Sequence, residues 1–237
     1  MAMAIAAAML VACTHAAASD YTCQPSGPPK GTVLAFPAGA FYLPDPVRAA
    51  QLCRYYAAAG YVGVAGNYPL LDVGAAVRYG RDLARRSRRN GAPLFAVGES
   101  AGGTIALDLA VAGEVDAAVA VAAPSNLLTW SAGNSAYWHG ALHIDRSARR
   151  QLSPYYRPMR RPSPMLLFHS PEDPAVPYSQ SRAFARRAPR TSLCRLRGSH
   201  LQDRSWQPLS LRWLGGRRDR APRRLSSKPR ARGFDIL

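Results

Sequence analysis

The sequence predicts an α/β fold: a mostly parallel sheet with helices on both faces and one small insertion. Three observations carry this expectation. Compact apolar runs alternate with amphipathic stretches at short spacing, the pattern of a parallel sheet covered on both sides. A length of 237 residues, 48% of them hydrophobic, suits one globular domain with a sizeable core. Finally, an apolar run from Pro93 ends in Gly98-Glu99-Ser100-Ala101-Gly102-Gly103, where a helix-compatible run begins.

From the amino terminus, residues 1–18 are apolar and Ala-rich, too short to span a bilayer as a stable helix. They resemble a secretory signal, with Ala16-Ala17-Ala18 as a small-residue cleavage site. A second reading is a bacterial lipobox at Leu10-Val11-Ala12-Cys13, in which Cys13 would be lipidated and hold the protein at a membrane. The expected location is therefore exported, periplasmic or secreted, with a membrane-anchored lipoprotein as the alternative. Residues 19–31 are rich in Pro and Gly and expected to be irregular. In an oxidising compartment Cys23 and Cys53 could pair and pin this segment to the first helix. Cys194 is left over in a run expected to be a buried strand. No Cys-x-x-Cys or Cys/His spacing suggests a metal, and no cofactor is expected.

The main domain is expected over residues 32–215. Thr32 to Phe36 reads as a buried strand, followed by the small-residue turn Pro37-Ala38-Gly39-Ala40-Phe41. Pro46 opens a helix with Ala49, Leu52, Tyr56 and Ala59 on one face, and Gly60 stops it. Tyr61 to Ala65 is the next strand. Val73, Ala76, Val77, Gly80, Leu83 and Ala84 follow helical spacing, with Arg78, Arg81, Arg85, Arg88 and Arg89 opposite, until Asn90-Gly91. Leu94 to Gly98, Ala117 to Ala122, Met165 to His169 and Leu193 to Leu196 complete the strands. Ala101 to Ala112 and Ser179 to Ala188 are helices between them, and Trp206, Leu209 and Trp213 share a last helical face.

Between residues 124 and 164 the alternation breaks. Trp130, Tyr137, Trp138 and Tyr155-Tyr156 cluster there among prolines. An insertion of this size can lie over the carboxyl end of the sheet, where open α/β sheets bind ligands. Trp130, Tyr137 and Trp138 are the candidate substrate contacts, with core packing of short helices as the alternative. Residues 216–237 are basic, poor in apolar side chains and expected to be disordered. The formal net charge is +17. From Arg217 onward eight Lys/Arg stand against Asp219 and Asp235. No nucleic-acid motif accompanies the charge, so a solvated basic surface is expected rather than a nucleic-acid partner, with anionic envelopes or polymers as the alternative attraction.

Gly-x-Ser-x-Gly between a strand and a helix reads as a nucleophile elbow, a sharp turn that presents Ser100. The glycines leave room where side chains would collide across the turn. Downstream, Asp173 lies in the turn Ser170-Pro171-Glu172-Asp173-Pro174 after one strand, and His200 in Gly198-Ser199-His200 after the last. Serine, then aspartate, then histidine, each at a strand end, is the order of the α/β-hydrolase triad.

On these motifs the chain resembles the esterase/lipase branch of the α/β-hydrolases, especially carboxylesterases whose elbow reads Gly-Asp-Ser-Ala-Gly-Gly. Residues 169–177 are similar to the family's His-Gly-x-x-Asp-x-x-Val-Pro, with Ser170 in place of glycine, and Asn67-Tyr68-Pro69-Leu70 is similar to its Asp-Tyr-Arg-Leu. The resemblance runs from about residue 32 to 213. It implies an α/β-hydrolase fold with the insertion as a lid over the active site. The implied activity is cleavage of a carboxylic ester of small-molecule or polymeric kind through an acyl-enzyme, without metal or cofactor. The family's His-Gly-Gly-Gly is replaced here by Pro37-Ala38-Gly39-Ala40. Amides of Gly39 and Ala40, with that of Ala101, remain as candidate oxyanion donors.

The chemistry assigns distinct roles. A serine hydroxyl needs a base within hydrogen-bond reach, which His200 supplies near neutrality; Asp173 would hold the imidazole tautomer and stabilise the imidazolium. Glu172 is the rival acid and His169 the rival base, the latter at a strand end where histidine is commonly structural. Glu99 is expected to support the elbow, and His139 and His143 to lie at the surface. Two other functional classes remain: a non-catalytic envelope or ligand-binding protein of the same fold, and an acyltransferase or peptidase using the same triad.

Overall fold

The computed structural model describes residues 20–130, 144–196 and 206–216, with the backbone of 235–236. Eight strands form one sheet: β1 (Tyr21–Cys23), β2 (Thr32–Phe36), β3 (Val62–Ala65), β4 (Leu94–Glu99), β5 (Ala117–Val121), β6 (Met165–His169), β7 (Thr191–Arg195) and β8 (Asp235–Ile236). Their spatial order is β1-β3-β2-β4-β5-β6-β7-β8. β2 to β7 run parallel; only the edges β1 and β8 are antiparallel to their neighbours.

The central strands are short, apolar and buried on both faces, as a parallel sheet requires. Side chains alternate between two cores because successive Cβ atoms point to opposite faces. Leu34, Phe36, Ala96, Ala118, Ala120 and Leu167 face one side, packed by helices α2 (Val73–Ser87), α3 (Ala101–Ala112) and α5 (Ser179–Arg187). Val33, Ala35, Phe95, Val97, Val119 and Phe168 face the other, packed by α1 (Pro46–Ala58) and α6 (Trp206–Gly215).

Local chemistry sets the helix ends. The Asp45 carboxylate accepts from the Arg48 amide at 2.8 Å, with Pro46 in the first turn of α1. Asp72 caps α2 in the same way through the Ala75 amide at 2.8 Å. Gly113, at φ 73°, closes α3 in the left-handed conformation.

Two expectations need correction. Residues 19–31 are not wholly irregular: β1 pairs with β3, and Cys23 is disulfide-bonded to Cys53 of α1. The covalent link across 30 residues holds an edge strand that three residues could not secure alone. The carboxyl-terminal segment also contributes structure, since Asp235–Ile236 pair with β7 opposite Cys194 and Arg195. Within the insertion, helix α4 (Arg146–Leu152) and a 3-10 turn (Pro154–Tyr156) are formed. The expected signal at residues 1–18, Cys13, Tyr137, Trp138, His139, His143 and His200 lie outside the described residues.

Candidate active site

The chain leaves β2 through α1 to β3 on one side, and leaves β4 through α3 to β5 on the other. α1 and α3 therefore cover opposite faces, and a crevice opens between the carboxyl ends of β2 and β4. Phe36 and Gly98 are register partners there, so the turn after Phe36 and the residue after Glu99 emerge side by side.

Ser100 stands at this junction with φ 50° and ψ −118°, outside the regions open to ordinary L-residues. Its amide donates to Val121 O at 2.8 Å, tying the turn to β5. Glycine is obligatory on either side. A Cβ on Gly98 would lie 2.1 Å from Gly102 O, and one on Gly102 would lie 2.2 Å from Phe36 O and 2.5 Å from Pro37 O. α3 starts at the next residue, so its first-turn amides and positive dipole end surround the serine. Among the described residues, the Ala101 amide donates to no backbone carbonyl.

The turn after β2 is strained. Gly39 has φ 151°, and Ala40 and Phe41 have φ 52° and 60°. The Gly39 carbonyl accepts from the amides of Tyr42 and Leu43, both at 2.7 Å, and a Cβ on Gly39 would meet Leu43 O at 2.1 Å. The buried Tyr68 hydroxyl donates to Pro37 O at 2.9 Å. Burial raises its pKa well above the ordinary phenol range, so it remains a donor. Among the described residues the Ala40 amide also has no backbone acceptor. Two left-handed non-glycine residues here leave no composition signal, so sequence reasoning could not foresee this conformation.

Asp173 lies in the loop leaving β6, on the same carboxyl edge as Ser100. Its side chain is fully buried. Oδ1 accepts from the amides of Ala175 and Val176 at 2.8 and 2.9 Å, which fixes the carboxylate. Glu172 is exposed, so the rival acid sits on the outer side of the turn. His169 is fully buried. Its Nε2 lies 2.9 Å from Val176 O, which can only accept, and 3.2 Å from Asp173 Oδ2. Its Nδ1 lies 2.7 Å from the Ser181 hydroxyl. Nε2 is engaged within the loop that carries Asp173 and Nδ1 on α5, so the ring braces that loop against the helix. His200 follows β7 by a few residues, outside the described region.

Trp130 is not a solvent-facing substrate residue. It is 1% exposed, belongs to the core cluster shared by α2, α3 and α5, and donates its indole N–H to Ala175 O at 3.2 Å. An indole this large is favoured in a core when its one donor finds an acceptor. Gln180 joins the same region, accepting from Asn126 N at 2.8 Å and donating to Thr129 at 3.1 Å. These contacts clamp the start of the insertion to α5.

Arg48 was not foreseen. Its guanidinium forms two hydrogen bonds with the Glu99 carboxylate, Nε to Oε2 at 3.0 Å, and joins α1 to the residue preceding Ser100. A lone arginine on an otherwise apolar helical turn was the available signal. A second buried carboxylate, Asp108 on α3, takes Arg81 bidentately at 2.8 and 2.9 Å and Arg157 at 3.2 Å. This ties the end of the insertion to α2 and α3.

Residues 59–193 match the family model of the prolyl oligopeptidase family. Esterase 2 of Thermogutta terrifontis phosphonylated by sarin is similar in structure, with a TM-score of 0.62 and 19% identity over 76% of this chain and 79% of that one. The native form of that thermophilic esterase gives a TM-score of 0.61 and 19% identity over 83% and 87% of the two chains. The form phosphorylated by paraoxon gives 0.60 and 20% over 74% and 75%. No curated protein matches in sequence. The structural likeness is one of fold, the α/β-hydrolase fold that the sequence resemblance implied.

Proposed function

This chain belongs to the prolyl oligopeptidase family, a family of serine hydrolases, and we propose that it cleaves carboxylic esters through Ser100, His200 and Asp173. In this reading His200 takes the Ser100 proton as Oγ attacks the ester carbonyl, then returns it to the leaving alcohol. Asp173 holds the imidazole tautomer and balances the imidazolium. The amides of Ala101 and of Gly39 or Ala40 bind the developing oxyanion. Water then repeats the sequence on the acyl-enzyme. The supporting observation is the Ser100 backbone at φ 50° and ψ −118°, strained between β4 and α3. The structurally similar Thermogutta protein is named an esterase, which favours ester over amide.

A peptidase is the second reading, favoured by the name of the family whose model matches. The protein is further proposed to be exported and to act outside the cytoplasm. The Cys23–Cys53 bond supports this, since structural disulfides persist in oxidising compartments. The deciding experiment offers the purified protein an aryl acetate and a prolyl anilide, with a fluorophosphonate probe in parallel. Ester turnover and labelling, both lost in Ser100→Ala, are expected. Unchanged turnover in Ser100→Ala sinks the serine assignment, faster anilide cleavage favours the peptidase, and ester transfer to an added alcohol marks a transferase.

A further inference from the structure

Charge is sorted along the strand axis. The described connections leaving the carboxyl ends of the strands are residues 37–45, 66–72, 122–130 and 170–178. These segments contain no Lys or Arg and carry Asp45, Asp72, Glu172 and Asp173, whereas α4, further along the connection that leaves β5, adds Arg146, Arg149 and Arg150. The connections entering the amino ends carry mostly the opposite sign, with Glu114 and Asp116 before β5 as the acidic exceptions. Lys30 precedes β2, Arg88 and Arg89 precede β4, Arg160 and Arg161 precede β6, and Arg190 precedes β7, all exposed. Helices following parallel strands also end at this side, and the last turns of α2 and α5 add Arg85, Arg86, Arg186 and Arg187.

Internal chemistry accounts for part of this set. A cation in a last helical turn is favoured by the helix dipole. Arg85 pairs with Asp82, Arg86 reaches back to Asp20, and Arg88 pairs with Asp116. Neither account covers Arg89, Arg160, Arg161 and Arg190. These lie in connections rather than helices, and among the described residues none forms an ion pair. They are spread along the sheet from β4 to β7, roughly 15 Å at ordinary strand spacing.

We propose that this amino-end face docks on an anionic lipid surface, leaving the Ser100 end directed away from it. Cations spread over the edge of several strands match a plane of headgroups. Among the described residues the exposed large apolar side chains, Tyr21, Tyr42, Leu43, Val47 and Leu71, lie in β1, α1 or the loops leaving β2 and β3, so none of these sits on this face to stack on a base or insert into hydrocarbon. Attachment is therefore electrostatic and reversible by salt. At the opposite end Asp45, Asp72 and Glu172 offset the nearby arginines, so that end is attracted less, which orients the molecule.

The test is co-sedimentation of the full chain with phosphatidylcholine vesicles containing about 30% phosphatidylglycerol, at about 20 mM and about 500 mM salt. Binding at low salt, release at high salt and no binding to pure phosphatidylcholine are expected. Replacing Arg89, Arg160, Arg161 and Arg190 by Gln should weaken binding about 100-fold, since each surface cation contributes several-fold. The same number of charges removed at Arg78, Arg146, Arg150 and Arg195 should weaken it less than about 10-fold. Fluorophosphonate labelling of Ser100 should proceed equally in free and vesicle-bound protein. Equal losses in the two variants, or full loss on neutralising the basic residues of 217–237 alone, overturn the assignment. Tighter binding to soluble heparin than to vesicles also overturns it, as does protection of Ser100 on vesicles.

Discussion

Arg48 on α1 holds Glu99 with two nitrogens of its guanidinium, one residue before Ser100, with only 12% and 13% of the two side chains exposed. Burial works against the arginine's charge, but the hydrogen bond and charge of Glu99 outweigh it and raise its pKa. The pair joins the helix that follows the turn after β2 to the strand that ends just before Ser100, the proposed nucleophile. Glu99→Ala should destabilise the fold by about 3 kcal/mol, because it leaves a poorly solvated guanidinium without its partner. The double variant Arg48→Met, Glu99→Gln should recover most of that stability. If the pair positions the elbow, kcat of the double variant stays low while denaturation returns toward wild type. Recovery of both would reduce the pair to a structural role.

Gly102 admits no side chain, because its missing Cβ would occupy the space of Phe36 O and Pro37 O. Gly102→Ala should push the turn proposed to hold the oxyanion away from Ser100 and lower kcat about 100-fold, the scale of one lost oxyanion donor. Steady-state kinetics on an aryl acetate measures this. A soluble, folded variant with unchanged kcat would show that the turn at Gly39 and Ala40 does not serve the reaction.

Asp173→Asn retains an acceptor for the Ala175 and Val176 amides, so the loop should stay folded while the charge proposed to support the His200 imidazole is lost. kcat should fall about 10³–10⁴-fold, with melting nearly unchanged. In the wild type, kcat/KM should rise with pH through roughly 6.5, since the general base must be neutral to accept a proton. A profile flat from pH 5 to pH 8, to about half a unit at each end, would remove histidine from the reaction.

The Cys23–Cys53 bond closes a loop with a sequence separation of 30 and holds β1 at the edge of the sheet. Its loss in Cys53→Ala should lower stability by about 2–4 kcal/mol, seen as an earlier urea midpoint. Wild type under reductant should show the same shift, and the variant should no longer respond to reductant.

Glu114 carries a buried oxygen, Oε2, with no hydrogen-bond partner among the described residues. Desolvation raises its pKa above the ordinary carboxylate value, despite the opposing charge of Arg81. A raised pKa in the folded state means the native protein binds this proton more tightly than the unfolded chain. Stability from this group is therefore present at low pH and is lost as pH rises through its folded pKa. Glu114→Gln should accordingly raise Tm by about a degree or two at pH 7, with the difference vanishing near pH 4. An unchanged or lower Tm at pH 7 would contradict this.

Much of this protein was legible in its residues because the evidence was local. Thr32–Phe36, Leu94–Glu99 and Met165–His169 are runs that only a buried strand explains, and Gly98, Gly102 and Gly103 mark a turn too tight for side chains. The resemblance of residues 169–177 to the family's His-Gly-x-x-Asp-x-x-Val-Pro likewise favoured Asp173 over Glu172, and the fold buries the first and exposes the second. What tertiary structure decided was the partner of each polar group. Arg48 and Glu99 are 51 residues apart, Trp130 and Ala175 are 45 apart, and Tyr68 and Pro37 are 31 apart. No periodicity predicts such meetings. They arise when the crossover that places β2 between β3 and β4 brings distant loops to one edge of the sheet. That is why Trp130, placed in a pocket by composition, lies in the core. It is also why Arg89, Arg160, Arg161 and Arg190, far apart in the sequence, share the end of the sheet opposite Ser100.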